Sequence, residues 1–191
     1  MVLFINACMR GPKLSRTHRL CKAFFGAVPL LGELEEVDLT AQALPRYDAP
    51  TVQLRERLID GGKTDDEMFL HARQFARAEK IVVGAPYWDL SFPAALKSYI
   101  EHVSVRTITF DVAPTGTVGL CRAQKLVYIT TAGGYIADAD FGSAYFRGLC
   151  GFYGIPQFES ISAQGLDLQE NAPEIIMISA EREAARAAAR F

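Results

Sequence analysis

Short apolar runs alternate along the chain with segments in which apolar residues recur every three or four positions. Each run has the length of a strand, and several end at glycine or proline, as buried strands often do. The five runs cover residues 2–7, 33–39, 80–85, 125–131 and 158–163. The second run alternates charged and apolar residues, which is typical of a half-covered strand near the edge of a sheet.

The segments between these runs have the periodicity of amphipathic helices. They cover residues 16–26, 65–78, 92–103, 141–153 and 173–190. Strands that alternate with helices form parallel sheets through right-handed crossovers. The pattern therefore predicts an α/β protein built on a three-layer, doubly wound, five-stranded parallel sheet. In such sheets ligands bind beyond the carboxyl ends of the strands, where the strand order reverses.

Composition narrows the class of protein. The 191 residues fit one domain, residues 1–191. The net charge of −2 argues against a nucleic-acid partner. Four cysteines form no C-x-x-C pair and only three histidines occur, so we expect no metal site, no disulfide framework and a reducing, cytoplasmic location. No apolar run approaches the roughly 18 residues of a membrane span, and no membrane partner is expected.

The loop after the first strand is polar and basic, and it leads into a helix. Ser15, Arg16 and Thr17 open that helix. Unpaired amides and the helix dipole at such a start favour an anion, and the hydroxyls and guanidinium add donors, so the loop suits a phosphate. An ordinary Ser15 cap beside a solvated Arg16 explains the loop equally well. No G-x-x-x-x-G-K-[ST] motif is present, and no G-x-G-x-x-G follows the first strand.

Two further loops follow the strands at 80–85 and 125–131. The first contains Trp88 beside Tyr87, and we expect these aromatics to cover a flat group or an interface rather than pack only against the chain itself. The second contains Gly133 and Gly134, which permit close approach of the backbone to a ligand but also suit a plain turn. A ligand with a phosphate at one end and a planar ring at the other satisfies all three loops, and flavin mononucleotide (FMN) is such a ligand.

The segment 85–101 reads A-P-x-[aromatic]-x-x-x-x-P-A-x-L-K-x-Y-I-[DE]. This motif resembles the flavodoxin-like, FMN-dependent NAD(P)H quinone and azo-compound reductases, and most of all the NADH azoreductases. The resemblance implies a flavodoxin-like fold, FMN as cofactor, NADH or NADPH as electron donor, and a quinone or azo acceptor. It also implies a homodimer in which the second subunit completes each active site.

The resemblance also assigns cofactor-binding positions along the chain. The positions at the FMN phosphate are Cys8, Ser15, Arg16 and Thr17. Those at the flavin ring are Pro86, Tyr87, Trp88, Asp89 and Leu90, and those at the ring's other edge are Thr131, Ala132, Gly133 and Gly134.

Two of these loops depart from the azoreductase pattern. That branch typically has Met-Tyr-Asn-Phe at the ring loop and Ser-Arg-Gly-Gly at the glycine loop, where this chain has Tyr-Trp-Asp-Leu and Thr-Ala-Gly-Gly. A carboxylate near the flavin would oppose negative charge on the reduced ring. We therefore expect Asp89 either to point away from the ring or to lower the flavin's potential.

The expected reaction is a two-electron transfer: a reduced nicotinamide gives a hydride to the flavin, and a quinone or azo compound then receives the electrons. No catalytic side chain is assigned, because the cofactor carries this chemistry; Tyr135 could reach substrate but is more simply a packing residue. One alternative is an FMN-binding electron carrier, although a charge of −2 gives poor electrostatic steering. Another is a flavin-free hydrolase using Cys8 or Ser15, although no G-x-S-x-G motif is present.

Overall fold

Five parallel strands form the centre of the protein, whose computed structural model describes residues 1–29, 32–42 and 44–191. The strands in chain order are β1 (Val2–Asn6), β2 (Leu34–Asp38), β3 (Lys80–Gly84), β4 (Phe110–Ala113), β5 (Gly116–Gly119), β6 (Lys125–Thr131) and β7 (Gln157–Ala163). The main sheet has the order β2-β1-β3-β6-β7, and all four pairings within it are parallel. The strands β4 and β5 form a separate antiparallel hairpin.

Helices connect the parallel strands and cover both faces of the sheet. They are α1 (Gly11–Leu14), α2 (Arg16–Gly26), α3 (Ala49–Asp60), α4 (Leu70–Arg77), α5 (Ala94–Val103), α6 (Phe141–Tyr153) and α7 (Pro173–Ala188), with a 3₁₀ turn at Glu67–Phe69 before α4. Within the described ranges, no helix has the length and apolar character that crossing a membrane requires.

Alternate side chains of the central strands enter two separate cores. In β1, Leu3 and Ile5 pack in the core that includes residues of α4, α5 and α6. Their neighbours Val2 and Phe4 pack in the core that includes residues of α2 and α7. This alternation follows from the period of two in a strand. Because both faces are covered, β1 reads as a continuous apolar run in the sequence.

The predicted fold class is confirmed, and the predicted strands agree with the observed ones to within about two residues. Two expectations about helices are corrected. The predicted helix 65–78 is a 3₁₀ turn followed by the shorter α4, because Asp66, with a ψ of 146°, and Phe69, with a φ of −101° and a ψ of 12°, lie outside α-helical angles and cap the two elements. The helix predicted at 92–103 begins at Ala94 instead, after Pro93.

The helix α3 and the hairpin β4–β5 are absent from the sequence-based prediction. The helix α3 buries none of its residues completely, so its apolar pattern is weak, although Asp48 caps it and Pro50 lies in its first turn. The hairpin is also held by contacts that are distant in sequence: the Cys121 amide donates to the Tyr153 carbonyl, and Gly119 packs against the backbone of Tyr153 and Gly154. Neither element has a strong local signal.

The strand order determines where on the sheet a ligand can bind. From β1 the chain moves outward to β2, and it then returns to β3 on the other side of β1. Consequently the connections that follow β1 and β3 lie on opposite faces, and a crevice opens between them at the carboxyl ends. The loops after β1 and β3 and the neighbouring loop after β6 therefore share one edge.

Gly119 provides a test of how the hairpin packs against the end of α6. A Cβ at this position would overlap backbone atoms of Tyr153 and Gly154, which cannot rotate away. We expect Gly119→Ala to lower the free energy of unfolding by about 1–3 kcal/mol, as overpacking does.

The matched control is Gly148→Ala in α6, where a Cβ would meet no atom within 4 Å. Alanine should raise the stability of this helix by up to about 1 kcal/mol. Urea unfolding of the two variants should therefore give shifts of opposite sign, and equal shifts would contradict the packing described for Gly119.

Candidate functional site

Three loops at the carboxyl edge of the sheet surround a cavity of about 200 Å³. They follow β1, β3 and β6, and the segment after β7 adds one acidic residue. The cavity is lined by Arg10, Ser15, Arg16, Thr17, Pro86, Tyr87, Trp88, Thr131, Gly133 and Asp167.

One end of the cavity is the start of α2. Ser15 caps this helix, and its Oγ accepts a hydrogen bond from the His18 amide at 3.1 Å, so its hydroxyl proton is free to be donated elsewhere. The Thr17 and Thr131 hydroxyls lie 2.6 Å apart and join α2 to the end of β6. With Arg10 added, this end combines a helix N-terminus, hydroxyl groups and a guanidinium, which is a donor set suited to a phosphate.

The loop after β3 is a tight turn that displays aromatic side chains. Trp88 and Ser91 exchange backbone hydrogen bonds of 3.2 and 2.8 Å across the turn. The two residues between them, Asp89 and Leu90, have φ angles of 48° and 67°. Left-handed backbone costs ordinary L-residues roughly 1–2 kcal/mol each, although aspartate tolerates it better. The turn is therefore strained at the point where it presents Trp88.

Backbone and side-chain hydrogen bonds hold this turn against the loop after β6. The Tyr87 amide donates to the Thr131 carbonyl at 3.0 Å, which continues the pairing of the sheet beyond β3. The Tyr87 hydroxyl donates to the Ala139 carbonyl, also at 3.0 Å. Tyr87 is thus held through both its backbone amide and its side-chain hydroxyl, which positions the aromatic wall of the cavity.

The segment after β7 completes the cavity. Asp167 donates its amide to the Gly133 carbonyl at 2.9 Å, and Leu166 donates to Ala132 at 3.2 Å. Arg16 reaches across from α2 and forms an ion pair with the Asp167 carboxylate at 2.7 Å. Two cations and one acid therefore line the cavity, which leaves it net positive.

The structure brings most of the predicted site residues together. Those that line the cavity are Ser15, Arg16, Thr17, Pro86, Tyr87, Trp88, Thr131 and Gly133. Those that do not are Cys8, Asp89, Leu90, Ala132 and Gly134. Contact of each of these residues with a cofactor stays a prediction.

The residues outside the lining differ in their surroundings. Cys8 is fully buried, and its thiol lies 3.6 Å from the Gly84 carbonyl oxygen, so the structure does not bring the thiol to the cavity. Asp89 and Leu90 are exposed and do not line the cavity. The carboxylate at the cavity is consequently Asp167 and not Asp89.

Two lining residues, Arg10 and Asp167, are not among the predicted positions. Arg10 belongs to the predicted basic loop, one residue before α1, and its charge is the available signal. Asp167 is about 150 residues from Arg16 in the chain. No local pattern distinguishes it from other loop acids, because only the tertiary fold places it beside a guanidinium.

The geometry disfavours a hydrolase. No histidine lines the cavity, and Ser15 is engaged in capping α2. The Cys8 thiol is buried against the Gly84 carbonyl oxygen, away from the cavity. Burial, with Cys8 close by, also raises the pKa of the neighbouring Cys21 thiol well above its ordinary value. Among the residues that the structure describes, no group of three or more His, Cys, Asp or Glu side chains could hold a metal ion.

A larger cavity of about 650 Å³ lies at the opposite edge of the sheet, where β6 and β7 begin. Its acidic residue, Glu159, pairs with Lys125 at 2.6 Å and with Arg190 at 2.9 Å. Since ligands of such sheets bind at the carboxyl ends of strands, we assign the functional site to the smaller cavity.

The fold and the site define a flavodoxin-like protein, and the chain belongs to the Flavodoxin_2 family, described as having a flavodoxin-like fold, which matches residues 1–187. The predicted family resemblance is therefore confirmed.

Particular relatives are similar over their whole length. The chain is 33% identical over 198 residues to FMN-dependent NADH:quinone oxidoreductase 2 of Clostridium acetobutylicum, with 100% of this chain and 98% of the relative covered. It is 34% identical to FMN-dependent NADH:quinone oxidoreductase of Clostridium beijerinckii, with 92% and 91% covered. A solved azoreductase of Bacillus anthracis superposes with a TM-score of 0.88 at 26% identity, with 100% of this chain and 99% of that one covered.

The left-handed turn after β3 leads to a prediction about stability. Glycine adopts the backbone angles of Asp89 without strain. We expect Asp89→Gly to raise the free energy of unfolding by up to about 1 kcal/mol, because relief of the strain exceeds the added flexibility of the unfolded chain.

The matched control is Asp65→Gly, at an exposed aspartate that is not among the residues with positive φ. It should lower stability by roughly 0.4–1 kcal/mol, since only the unfolded chain gains freedom. Thermal unfolding of both variants tests the assignment, and destabilisation by Asp89→Gly would show that the turn is not strained.

Proposed function

We propose that this protein is an FMN-dependent NADH:quinone oxidoreductase that also reduces azo compounds. The observation that carries the proposal is a single cavity in which a helix N-terminus with Arg10 and Ser15 faces the aromatic turn at Trp88. The similarity to an FMN-dependent NADH:quinone oxidoreductase and to an azoreductase supports it. We assign the chemistry to one domain that spans residues 1–191 and, given four free cysteines, to a reducing compartment.

The residues at the cavity fit FMN. Arg10, Ser15 and Thr17 at the start of α2 offer the charge and hydroxyl groups that a phosphate monoester needs. Pro86, Tyr87 and Trp88 offer the flat, apolar surface that a tricyclic ring needs. Gly133 has no side chain, and the Asp167 carboxylate occupies the space where its Cβ would lie, so this part of the loop after β6 presents backbone and that carboxylate to the ligand. Together these groups match the two chemically different ends of one cofactor.

Bound FMN would supply the redox chemistry, a two-electron transfer from NADH to a quinone or azo acceptor. The protein's own residues bind and orient the reactants. Arg10 and Ser15 would hold the phosphate, and the Thr17–Thr131 hydrogen bond keeps α2 at a constant distance from β6. Trp88 and Tyr87 exclude water from one wall of the cavity. No side chain is required as a general acid or base.

We further propose that two copies of the chain complete each site. A cavity of about 200 Å³ is smaller than the roughly 300–1,000 Å³ of typical ligand sites, so a bound flavin and an acceptor would extend beyond this cavity. Large apolar side chains lie exposed in the loops at this edge and at the start of α6, among them Leu90 at 52%, Tyr135 at 66% and Phe141 at 56% exposure. A second subunit would cover these residues and close the site.

Anaerobic reduction tests the proposed activity. The flavin-loaded protein should lose the yellow colour of oxidised FMN on addition of NADH, at one NADH per flavin, and regain it with a benzoquinone. Colourless protein that takes up no added FMN would contradict the cofactor assignment. Uptake of FMN without bleaching by NADH or NADPH would instead identify an electron carrier.

Sedimentation tests the proposed assembly. We expect the protein to sediment with twice the chain mass of 21.0 kDa, as a homodimer does. Leu90→Arg should shift the protein toward monomer and weaken FMN binding, because a charge in a buried apolar interface is unfavourable. The control is Ile178→Arg, at an exposed apolar residue of α7, which should change neither property. A monomeric wild type that binds FMN normally would contradict this part of the proposal.

A further inference from the structure

The ion pair between Arg16 and Asp167 links two parts of the candidate site that are far apart in the chain. The Arg16 Nη2 donates to Asp167 Oδ1 at 2.7 Å, and its Nη1 donates to the Leu166 carbonyl at 3.0 Å. Arg16 and Asp167 both line the cavity. A guanidinium has five N–H donors, so these two bonds leave others for a ligand.

The position of Asp167 is defined by the loop after β6. Its amide is bonded to the Gly133 carbonyl, and the Gly165 amide is bonded to that of Gly134, each at 2.9 Å. A Cβ at Gly133 would overlap the second carboxylate oxygen of Asp167, so glycine at position 133 makes room for this carboxylate. The acid is therefore held beside the cavity by backbone contacts and does not depend on Arg16 alone.

Stability of the fold does not explain why an acid lies here. The two side chains are 30% and 64% exposed, and ion pairs with such exposure contribute little to folding. At a site suited to an anion, a carboxylate also opposes binding. The remaining role of Asp167 is an effect on a bound ligand. Its carboxylate offsets part of the Arg16 charge that a phosphate at the start of α2 would otherwise meet.

We propose that Asp167 is a positioning residue that serves as the counter-ion of Arg16 and sets how strongly the site prefers a phosphorylated flavin. The acid orients the guanidinium at the cavity and offsets its charge, so Arg10 is the uncompensated cation among the lining residues. Preference for FMN over riboflavin, which has the same ring but no phosphate, is thereby kept moderate. This inference rests on the proposed function, since it takes FMN to be the ligand.

The test is to measure, by titration calorimetry, the equilibrium Kd values of FMN and of riboflavin for flavin-stripped protein. Asp167→Asn retains an oxygen that can accept from Arg16 but removes the charge. We expect its Kd for FMN to fall by roughly three- to tenfold while its Kd for riboflavin changes less than about twofold. Added salt should weaken FMN binding more steeply in the variant, because the net positive charge at the cavity is larger.

The matched control is Glu170→Gln, which removes an equal charge from an exposed residue of the same segment that does not line the cavity. It should leave both Kd values and their ratio unchanged. The Tm of the flavin-stripped Asp167→Asn protein should stay close to that of the wild type, which separates an effect on binding from an effect on folding.

The outcomes separate this inference from the proposed function. If the wild type binds FMN but Asp167→Asn leaves the ratio of the two Kd values unchanged, the counter-ion role is wrong and the proposed function stands. Equal weakening of FMN and riboflavin would show a purely structural role and would also overturn the inference. A wild type that binds no FMN would overturn both.

Discussion

The hydrogen-bonded register of the parallel strands is the constraint on which the site depends. Asn6 lies opposite Gly84, and Gly84 lies opposite Ile129, so β1, β3 and β6 reach the carboxyl edge together. The pairing continues into the loops, since Ala7 donates to the Gly84 carbonyl and Ala85 to that of Ile129. A shift of one residue in this register would also turn every apolar side chain of β1 toward the wrong core. The packing of the two cores therefore also holds the loops in place.

Different local interactions determine the conformation of each loop at this edge. Capping by Ser15 determines where α2 begins and therefore where its unpaired amides point. The turn at Asp89 and Leu90 is maintained against its own backbone preference by hydrogen bonds on both sides. Strain of this kind persists only where surrounding contacts determine the conformation, and it is concentrated at functional sites. The aromatic wall of the cavity is thus set by tertiary contacts that override local preference.

The positive charge at the cavity is partly offset by an acid. Arg16 brings a cation to the start of α2, and Asp167 offsets it from another loop. A phosphate would meet a helix N-terminus, hydroxyl groups and one uncompensated guanidinium. Such a balance gives moderate attraction for an anion, and it lets the contacts with the ring contribute a larger share of the recognition of a flavin. The same carboxylate requires glycine at position 133, so electrostatics and backbone shape are connected there.

The sequence by itself determined the central sheet, the helices with strong apolar periodicity and most residues of the three loops. These features have local signals: a strand buried on both faces must be apolar throughout, and Ser15 before α2 can satisfy a helix amide. The tertiary structure alone decided the hairpin β4–β5, the exclusion of the Cys8 thiol from the cavity and the pairing of Arg16 with Asp167. The weakly periodic α3 also became evident only there. The physical reason is that burial patterns and caps act over a few neighbouring residues, whereas the meeting of two charges about 150 residues apart depends on the order and register of the whole sheet.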